Sequence, residues 1–341
     1  MSKHYLFYGS ERYTLAIMRP VEAAIKARGD KVAWFFGGPG AEDLEAGDVL
    51  LPSVAAVKEW NPIAVITPNN LVPHFFPGVK VQTFHGFDAG KPRHIYIRGL
   101  FDLYCTTGPQ DTAAFNKLAE KLKYFSVMET GWPKLDEFFQ QLPKELPSVR
   151  EKPVVLYHST FSPSWSAAEI LYSEVKRLSE QGKWQWIVTL HPKMNPETVA
   201  KYKALESDHL KFATNDNILE LFPLVDVMCS DTSSALSEFL LTGKPVVTFK
   251  NRRPGPQLID IEKPEEFEGA ITLALSRPHY LMHAIDMFGK AIHPYRDGRS
   301  AERILEAIDT FISNGGKNAR SKPWNIWRKF KLRLKLGYWG I

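Results

Sequence analysis

Residues 225–234 read VDVMCSDTSS and pass from an apolar run into five small polar side chains. The run from Val225 to Cys229 is mostly apolar and β-branched, which predicts a buried strand. Helical spacing of apolar residues follows at once, at Ala235, Leu236, Phe239 and Leu240. We therefore predict a strand, a tight turn and a helix N-terminus whose unpaired N–H groups favour an anion. An ordinary N-cap is the alternative explanation, although one cap residue would be enough.

The same alternation of strands and helices extends in both directions from this stretch. We predict strands at 4–8, 31–36, 63–67, 80–84, 102–106, 124–128, 153–158, 185–190, 210–213, 225–229 and 245–249. Helices are predicted at 13–28, 109–122, 166–181, 196–206, 217–222, 234–242, 264–276 and 299–313. Such alternation is typical of parallel sheets covered on both faces. The predicted fold class is α/β, with two doubly wound Rossmann-like domains facing a cleft.

A Pro-rich, charged stretch at 141–153, QLPKELPSVREKP, predicts the linker between the two domains. We expect an N-terminal Rossmann-like domain over 1–145, on the acceptor side of the reaction considered below. A C-terminal Rossmann-like domain over 150–313 would bind the nucleotide donor. Residues 314–341 would form a basic, aromatic tail.

Length and composition are those of a soluble globular protein with more than one domain. The 341 residues are 44% hydrophobic and 24% charged. Cys105 and Cys229 lie in apolar runs, which predicts buried thiols of a cytosolic protein and not a disulfide framework. We find neither the apolar core of a signal peptide nor a run of about 18 apolar residues that could span a bilayer.

Polar residues follow four of the predicted strands, and ligands of doubly wound folds bind at the carboxyl ends of strands. His85 and Gly86 follow strand 80–84, Ser159 and Thr160 end strand 153–158, and His191 follows strand 185–190. The turn after strand 225–229 supplies Asp231, Thr232, Ser233 and Ser234. Each cluster alone is explained by turn chemistry or by a hydrogen-bonded histidine. Four clusters, in both domains, predict one site lining the cleft.

Other basic residues are weaker candidates, and several common motifs do not occur. Lys91, Arg93 and Arg252 are accessory candidates that could meet a phosphate or merely face water. The chain has no GxxxxGK[ST] loop and no GxGxxG after its first strand, which disfavours nucleoside triphosphatases and dinucleotide dehydrogenases. The histidines lack the spacing of a metal site, so we expect no tightly held metal and no cofactor.

Four motifs together resemble the CDP-glycerol glycerophosphotransferase family of teichoic-acid and capsule polymer synthesis. They are the HG pair at 85–86, the Ser-Thr turn at 159–160, the LHP at 190–192, and SDTSS followed by a helix and GKPVV. The resemblance covers roughly residues 80–310 and implies a glycosyltransferase-B architecture. It departs from the family pattern at Phe84, where the family has Trp, and at Thr232, where it has Tyr.

The resemblance implies an enzyme that moves a glycerol-phosphate or other polyol-phosphate unit from a CDP-activated donor to a hydroxyl of a lipid-linked or saccharide acceptor, releasing CMP. It implies that His85 is the general base, a task for which imidazole, with a reference pKa of ~6.5, is suited. His191 would contact phosphate, and the turn 231–234 would hold the diphosphate. We expect Asp231, awkward beside a diphosphate, to cap the helix or to hold a ribose or polyol hydroxyl.

Two other functions remain open. UDP-N-acetylglucosamine 2-epimerases share the fold, the HG-x-D and the GKPVV patterns, but their Gly-Gly turn and Thr-Glu-Arg-Pro sequence are missing. A UDP-sugar enzyme of this kind, including a glycosyltransferase, is the second interpretation. A non-catalytic nucleotide-sugar binding protein is the third, and it would have no need of His85.

The segment 314–341 carries eight Lys and Arg residues and no Asp or Glu, whereas the rest of the chain holds 35 basic and 38 acidic residues. A basic segment implies an anionic partner. Its aromatic residues fit one helical face poorly, and residues 329–336 alternate strictly, so its secondary structure stays open. It either packs back on the body or anchors the protein on an anionic membrane surface. We expect the second, with a cytoplasmic protein peripheral on the inner membrane face, and no nucleic-acid partner because the body is acidic.

Overall fold

The computed structural model of the protein describes residues 2–87, 95, 97–141, 151–214 and 218–340. The chain divides into two compact units. One contains residues up to Gln141 together with Lys290–Ile341, and the other runs from Leu142 to Gly289. Each unit is built on a parallel six-stranded sheet.

The first unit carries the sheet order β2-β1-β3-β4-β5-β6. Its strands are β1 (His4–Gly9), β2 (Lys31–Phe36), β3 (Ala64–Thr67), β4 (Val79–Gln82), β5 (Leu103–Thr106) and β6 (Ser126–Glu129). Its helices before the second unit are α1 (Tyr13–Ala27), α2 (Val54–Trp60), α3 (Pro109–Leu122) and α4 (Asp136–Gln141), with short 3-10 turns at Ala41–Asp43 and Pro133–Leu135. The strand order reverses between β1 and β3, so this sheet has its switch point there.

The second unit has the order β12-β11-β10-β7-β8-β9. Its strands are β7 (Val154–Ser159), β8 (Gln185–Leu190), β9 (Leu210–Phe212), β10 (Val227–Ser230), β11 (Val246–Phe249) and β12 (Ile259–Ile261). The helices are α5 (Ala168–Glu180), α6 (Pro196–Lys203), α7 (Ala235–Leu240) and α8 (Phe267–Leu275), with 3-10 helices at Ile218–Leu224 and Pro264–Glu266. The order reverses between β7 and β10, which places the switch point beside the stretch quoted first.

Helix α9 (His279–Ile292) links the second unit back to the first, and α10 (Ser300–Ser313) and α11 (Ile326–Leu336) complete the chain. The central strands β3, β5 and β10 are buried at every position, as parallel strands covered on both faces require. Cys105 and Cys229 are buried free thiols on β5 and β10, as predicted.

The predicted α/β class with two doubly wound sheets is confirmed, and every predicted strand is present within a few residues. Among the described helices and strands, the sequence did not predict α2, α4, β12, α9 and α11. The predicted helix at 217–222 is a 3-10 helix over Ile218–Leu224. The linker predicted at 141–153 falls mostly on residues 142–150, outside the described part of the chain.

The predicted domain boundaries are wrong at the C-terminal end, because α10 belongs to the first unit and not to a domain over 150–313. The carboxylate of Asp136 on α4 accepts hydrogen bonds from the N–H groups of Ser300 and Ala301, at 2.9 and 2.7 Å. Asp309 on α10 pairs with Lys3 and Arg28. These bonds join residues far apart in sequence, so the alternation of strands and helices could not reveal them.

The segment after α10 docks on the first unit. Lys322 pairs with Asp102 at 2.6 Å, and Leu332 is buried in the first unit's core. Asn325 donates to the backbone carbonyls of Arg98 and Gly99. The tail is therefore a packed extension of the first unit that ends in a helix, and the alternation at 329–336 did not produce a strand.

No helix in the described ranges is long and apolar enough to cross a membrane.

We predict that Asp136→Ala lowers the free energy of unfolding by about 2–4 kcal/mol, because it leaves two buried N–H groups at the start of α10 unpaired. Urea denaturation measures this change. Glu302→Ala, in the exposed first turn of the same helix, is the control and should change stability by less than about 0.5 kcal/mol. Equal stability of Asp136→Ala and the wild type would contradict the packing of α10 described above.

Candidate active site

His85 lies just beyond the carboxyl end of β4, and its side chain is exposed. The ring of Tyr13, at the start of α1, stacks on it with centroids 5.5 Å apart. The Tyr13 hydroxyl donates to Asn69 Oδ1 at 2.8 Å. A histidine from β4, a tyrosine after β1 and an asparagine after β3 thus meet at the switch point of the first sheet, where ligands of this fold bind.

Asn69 is a buried polar residue that fixes this arrangement. Its amide nitrogen donates to the carbonyl of Tyr8 and to Thr67 Oγ1, so the side chain ties the ends of β1 and β3 together. Neither Tyr13 nor Asn69 was among the site residues predicted from the sequence. The sequence did contain a signal for Asn69, since the pair Asn69-Asn70 follows an apolar strand as the other candidate residues do.

A glycine at position 86 can permit either close approach of another group or an unusual backbone angle. The left-handed conformation in this turn belongs to Phe84, with φ of 61°. A Cβ built on Gly86 would meet no protein atom within 4 Å. The strained position of the turn is therefore one residue before His85. The accessory candidates Lys91 and Arg93 lie outside the described residues.

In the second unit, Asp231 joins the two strands at the switch point. It follows β10, and its carboxylate accepts hydrogen bonds from Ser159 Oγ at 2.5 Å and from the N–H groups of Thr160 and Ala167 at 3.1 Å. The side chain is fully buried. Burial raises the pKa of Asp231, and the hydrogen bonds from Ser159, Ala167 and Thr160 oppose that rise.

This arrangement corrects one of the two roles expected of Asp231, that of a helix cap. Its carboxylate oxygens are directed at the loop after β7, and α7 receives no side-chain cap from its own N-cap residue, Ser234. Asp231 therefore positions Ser159 and Thr160 and does not cap the helix. The hydrogen-bond partners are 71 and 72 residues away in sequence, which is why the local pattern suggested a cap.

The turn around residues 231–234 is held from β11 as well. Asn251 donates through its amide to the carbonyl of Asp231, and the N–H of Arg252 donates to Thr232 Oγ1. Ser233 Oγ accepts from the N–H of Ala235. Helix α7 has only six residues, so its dipole is smaller than predicted for 234–242 and hydroxyl groups make up more of the site.

His191 comes after β8, and its backbone N–H donates to the carbonyl of Ser159. Its Nδ1 accepts the N–H of Lys193 at 3.1 Å, so the neutral ring carries its proton on Nε2. Burial, and next the charge of Lys193, lower the pKa of His191. A neutral imidazole with Nε2–H is a hydrogen-bond donor of the kind that a phosphate oxygen accepts.

Two aromatic side chains at this edge were also missed. Phe161 packs its ring against His191 with centroids 4.5 Å apart, and Trp165 lies under the guanidinium of Arg252 at 4.5 Å. Both rings are more than a third exposed. The structure thus brings together Ser159, Thr160, His191, the turn 231–234 and Arg252 within the second unit, whereas His85 and Gly86 belong to the first.

Among the described residues, no group of three or more His, Cys, Asp or Glu side chains is arranged to hold a metal ion.

We predict that Asp231→Ala destabilises the protein by roughly 3 kcal/mol, because the N–H groups of Thr160 and Ala167 lose their acceptor and Ser159 Oγ loses its shortest hydrogen bond. The free energy of unfolding in urea measures this loss. Asp208→Ala, at an exposed position, should stay within about 0.5 kcal/mol of the wild type. An Asp231→Ala protein as stable as the control would show that the carboxylate serves a ligand and not the fold.

Comparison with known proteins gives one family and two kinds of fold neighbour. The family model described as CDP-Glycerol:Poly(glycerophosphate) glycerophosphotransferase matches residues 98–253. That range contains every predicted site residue of the second unit, but His85 and Gly86 precede it. The teichoic acid glycerol-phosphate primase of Bacillus subtilis (strain 168) is 23% identical over 233 residues, which cover 62% of this chain and 58% of that protein.

Among solved structures, a UDP-N-acetylglucosamine 2-epimerase from Listeria monocytogenes superposes with a TM-score of 0.66 at 14% identity, covering 92% of this chain and 98% of its own. The wall teichoic acid polymerase TagF, in a crystal soaked with CDPG, gives a TM-score of 0.60 at 14% identity over 92% of this chain and 89% of its own. These likenesses confirm the glycosyltransferase-B type of fold. At such identities they do not separate a transferase from an epimerase.

The sequence matches favour the glycerophosphotransferase family. The family model and three teichoic acid primases or polymerases, at 23–26% identity, all point to one family. The chain spans 58%, 33% and 38% of these curated relatives. Over residues 98–253 the chain is thus a match to the CDP-glycerol:poly(glycerophosphate) glycerophosphotransferase family, which confirms the resemblance predicted from its motifs.

Proposed function

We propose that the protein is an enzyme that transfers a glycerol-phosphate or related polyol-phosphate unit from a CDP-activated donor to a hydroxyl of a lipid-linked or saccharide acceptor. The observation that carries the proposal is the constellation at the β7–β10 switch point, which lies entirely within the matched range 98–253. The similarity to teichoic acid primases and polymerases supports the same reaction class.

The second unit supplies the donor side of this reaction. His191 offers Nε2–H, while Thr160, Thr232, Ser233 and Ser234 offer hydroxyls beside the backbone of the turn. Hydrogen bonds of this kind stabilise the diphosphate charge that grows as CMP leaves, and a rigid scaffold holds them without reorganisation. The buried Asp231 provides that rigidity, since its carboxylate locks the loop carrying Ser159 and Thr160.

The first unit supplies the base. His85 is exposed and oriented by the stacked ring of Tyr13. Its imidazole accepts the proton of the acceptor hydroxyl, whose oxygen forms a bond to the polyol-bearing phosphorus. The bond from that phosphorus to the bridging diphosphate oxygen breaks, and CMP departs with the electron pair. Positioning and charge stabilisation account for most of the catalysis in such transfers.

Two alternatives predict different substrates. An epimerase would turn over UDP-N-acetylglucosamine, and a non-catalytic binding protein would bind CDP-glycerol without consuming it. Incubation of the full-length protein with each donor and a glycerol-phosphate-capped lipid acceptor, followed by chromatography of the nucleotides, distinguishes the three. The proposal expects CMP from CDP-glycerol or CDP-ribitol and no reaction of the UDP-sugar.

We predict that His85→Ala lowers turnover by about 10²–10⁴-fold, the range for loss of a general base, because the variant lacks the imidazole that takes the acceptor proton. Donor affinity, measured by calorimetry with CDP-glycerol, should change little, since the donor contacts lie in the second unit. His279→Ala, at an exposed histidine of α9, is the matched control and should keep full turnover. Near-normal turnover of His85→Ala would reject the base assignment.

We further propose that α11 holds the protein on an anionic membrane surface. One face of this helix docks on the first unit through Leu332, while Trp327 and Leu334 on another face are 75% and 62% exposed. Lys331 and Lys335 are exposed on the same helix. Trp324, 84% exposed, precedes the helix. Exposed aromatic residues and lysines on one helix are typical of interfacial anchors, and each basic residue near anionic lipid contributes ~1 kcal/mol.

We predict that the full-length protein sediments with phosphatidylglycerol-containing vesicles, and less so at high salt because screening weakens the lysine contribution. Trp324→Ser combined with Trp327→Ser should abolish sedimentation without loss of stability, since both side chains are exposed. Tyr280→Ser combined with Met287→Ser, which removes exposed apolar groups from α9, is the control and should sediment normally. Equal sedimentation of all three proteins would reject the anchor.

A further inference from the structure

The turn that carries His85 is contacted from both sides by one residue, Trp132. The indole N–H of Trp132 donates to the backbone carbonyl of Phe84 at 3.3 Å. The ring of Phe87 packs edge-on against the same indole, with centroids 4.9 Å apart. Phe84 and Phe87 bracket His85 and Gly86, so a single buried side chain touches both ends of the four-residue turn.

The backbone of this turn needs an external constraint. Phe84 has φ of 61°, a region that L-residues with bulky side chains rarely adopt unless neighbouring contacts hold them there. The Phe84 side chain is buried against Tyr104 and Phe115, which fixes its ring. The bond from the Trp132 indole fixes the carbonyl on the other side of the same residue.

Trp132 is itself positioned by His293, the residue that directly follows α9. The backbone N–H of Trp132 donates to His293 Nε2 at 3.0 Å. The imidazole is buried, with Phe139 stacked on it at 5.7 Å and Phe87 edge-on at 5.8 Å. Burial lowers the pKa of His293 to about 4, so the ring is neutral near pH 7 and its Nε2 is free to accept.

Two glycines permit the close packing that brings these groups together. A Cβ on Gly108 would lie 2.4 Å from the carbonyl oxygen of Ile292, immediately before His293. Gly131, which precedes Trp132, has φ of 85°, and a Cβ there would lie 2.5 Å from Ser300 Oγ. The segment carrying His293 is therefore packed against Gly108, and the segment carrying Trp132 is packed against the Ser300 side chain, which leaves both little freedom to shift.

We propose that Trp132 and His293 are positioning residues for the reaction, acting in series to hold the 84–87 turn so that His85 presents its imidazole to the acceptor hydroxyl. Neither residue touches substrate. This proposal rests on the proposed function only for the identity of the reaction, because a change in the surroundings of the His85 ring can be measured without turnover. It also explains why an indole at position 132 is needed, since phenylalanine has no N–H for the Phe84 carbonyl.

The first test compares Trp132→Phe with the wild type in the full-length protein. The variant keeps an aromatic ring and loses the donor to Phe84. We expect kcat for CMP release to fall by about 10- to 100-fold, the range for losing one orienting hydrogen bond and misplacing a catalytic group, with KM for CDP-glycerol within about twofold. Trp186→Phe is the matched control, because Trp186 is equally buried in the second unit and its indole N–H has no partner among the described residues. It should lose stability similarly and keep its kcat.

The second test separates positioning from a merely structural role at His293. Gln can still accept the Trp132 N–H through its side-chain oxygen, whereas Leu cannot. His293→Gln should retain kcat within about threefold, and His293→Leu should lose about tenfold or more. Circular dichroism spectra and melting curves confirm that each variant is folded. Equal kcat for the two folded variants would overturn the role of the acceptor.

The third measurement does not depend on activity. In protein labelled with ¹³C-histidine, the His85 ring signals, assigned by their loss in His85→Ala, should shift in Trp132→Phe and in His293→Leu but not in Trp186→Phe. Unchanged His85 signals in a folded Trp132→Phe protein would overturn the proposal. If instead the signals shift while His85→Ala turns over normally, the positioning stands and the assignment of His85 as the base fails.

Discussion

The carboxylate of Asp231 is the interaction on which the candidate site depends. It is fully buried, follows β10, and gathers the loop after β7 through Ser159, Thr160 and Ala167. An ionised carboxylate in the interior is stable only when hydrogen bonds replace its water, and these donors do so at the point where the strand order reverses. Because Asn251 and Arg252 then bond to the same turn, three strand ends are fixed around one side chain. Without it, the hydroxyls proposed to hold a diphosphate would have no common framework.

In the first unit, neutral side chains hold the strand ends and the turn that carries His85. Asn69 ties β1 to β3 and orients Tyr13, whose ring stacks on His85. Trp132 contacts both ends of the turn that carries His85. Both frameworks fix polar groups before any ligand binds, and hydrogen-bond donors that are already in place stabilise the charge of a phosphate without reorganisation.

The strands and most helices could be predicted from the sequence because their information is local: apolar runs, helical spacing and polar residues at strand ends. The positions His85, Ser159, His191 and 231–234 were found in the same way. The predictions that failed concern residues whose hydrogen-bond partners lie far away in the sequence. Asp231 looked like a cap because its true partners are some 70 residues away. Helix α10 looked like the end of the second domain because Asp136, which caps it, lies 164 residues earlier. The strict alternation at 329–336 left the secondary structure of the tail open, and docking of Leu332 on the first unit accompanies a helix there.

The central claim is that the protein breaks a CDP-polyol diphosphate and makes a phosphodiester. ³¹P NMR of the full-length protein with CDP-glycerol and a glycerol-phosphate-capped lipid acceptor follows both events in one sample. The account predicts that the two diphosphate resonances decay together while a CMP resonance and a phosphodiester resonance grow in equal amounts. Diphosphate signals that persist through prolonged incubation with fresh acceptor, or that decay only when UDP-N-acetylglucosamine replaces CDP-glycerol, would contradict it.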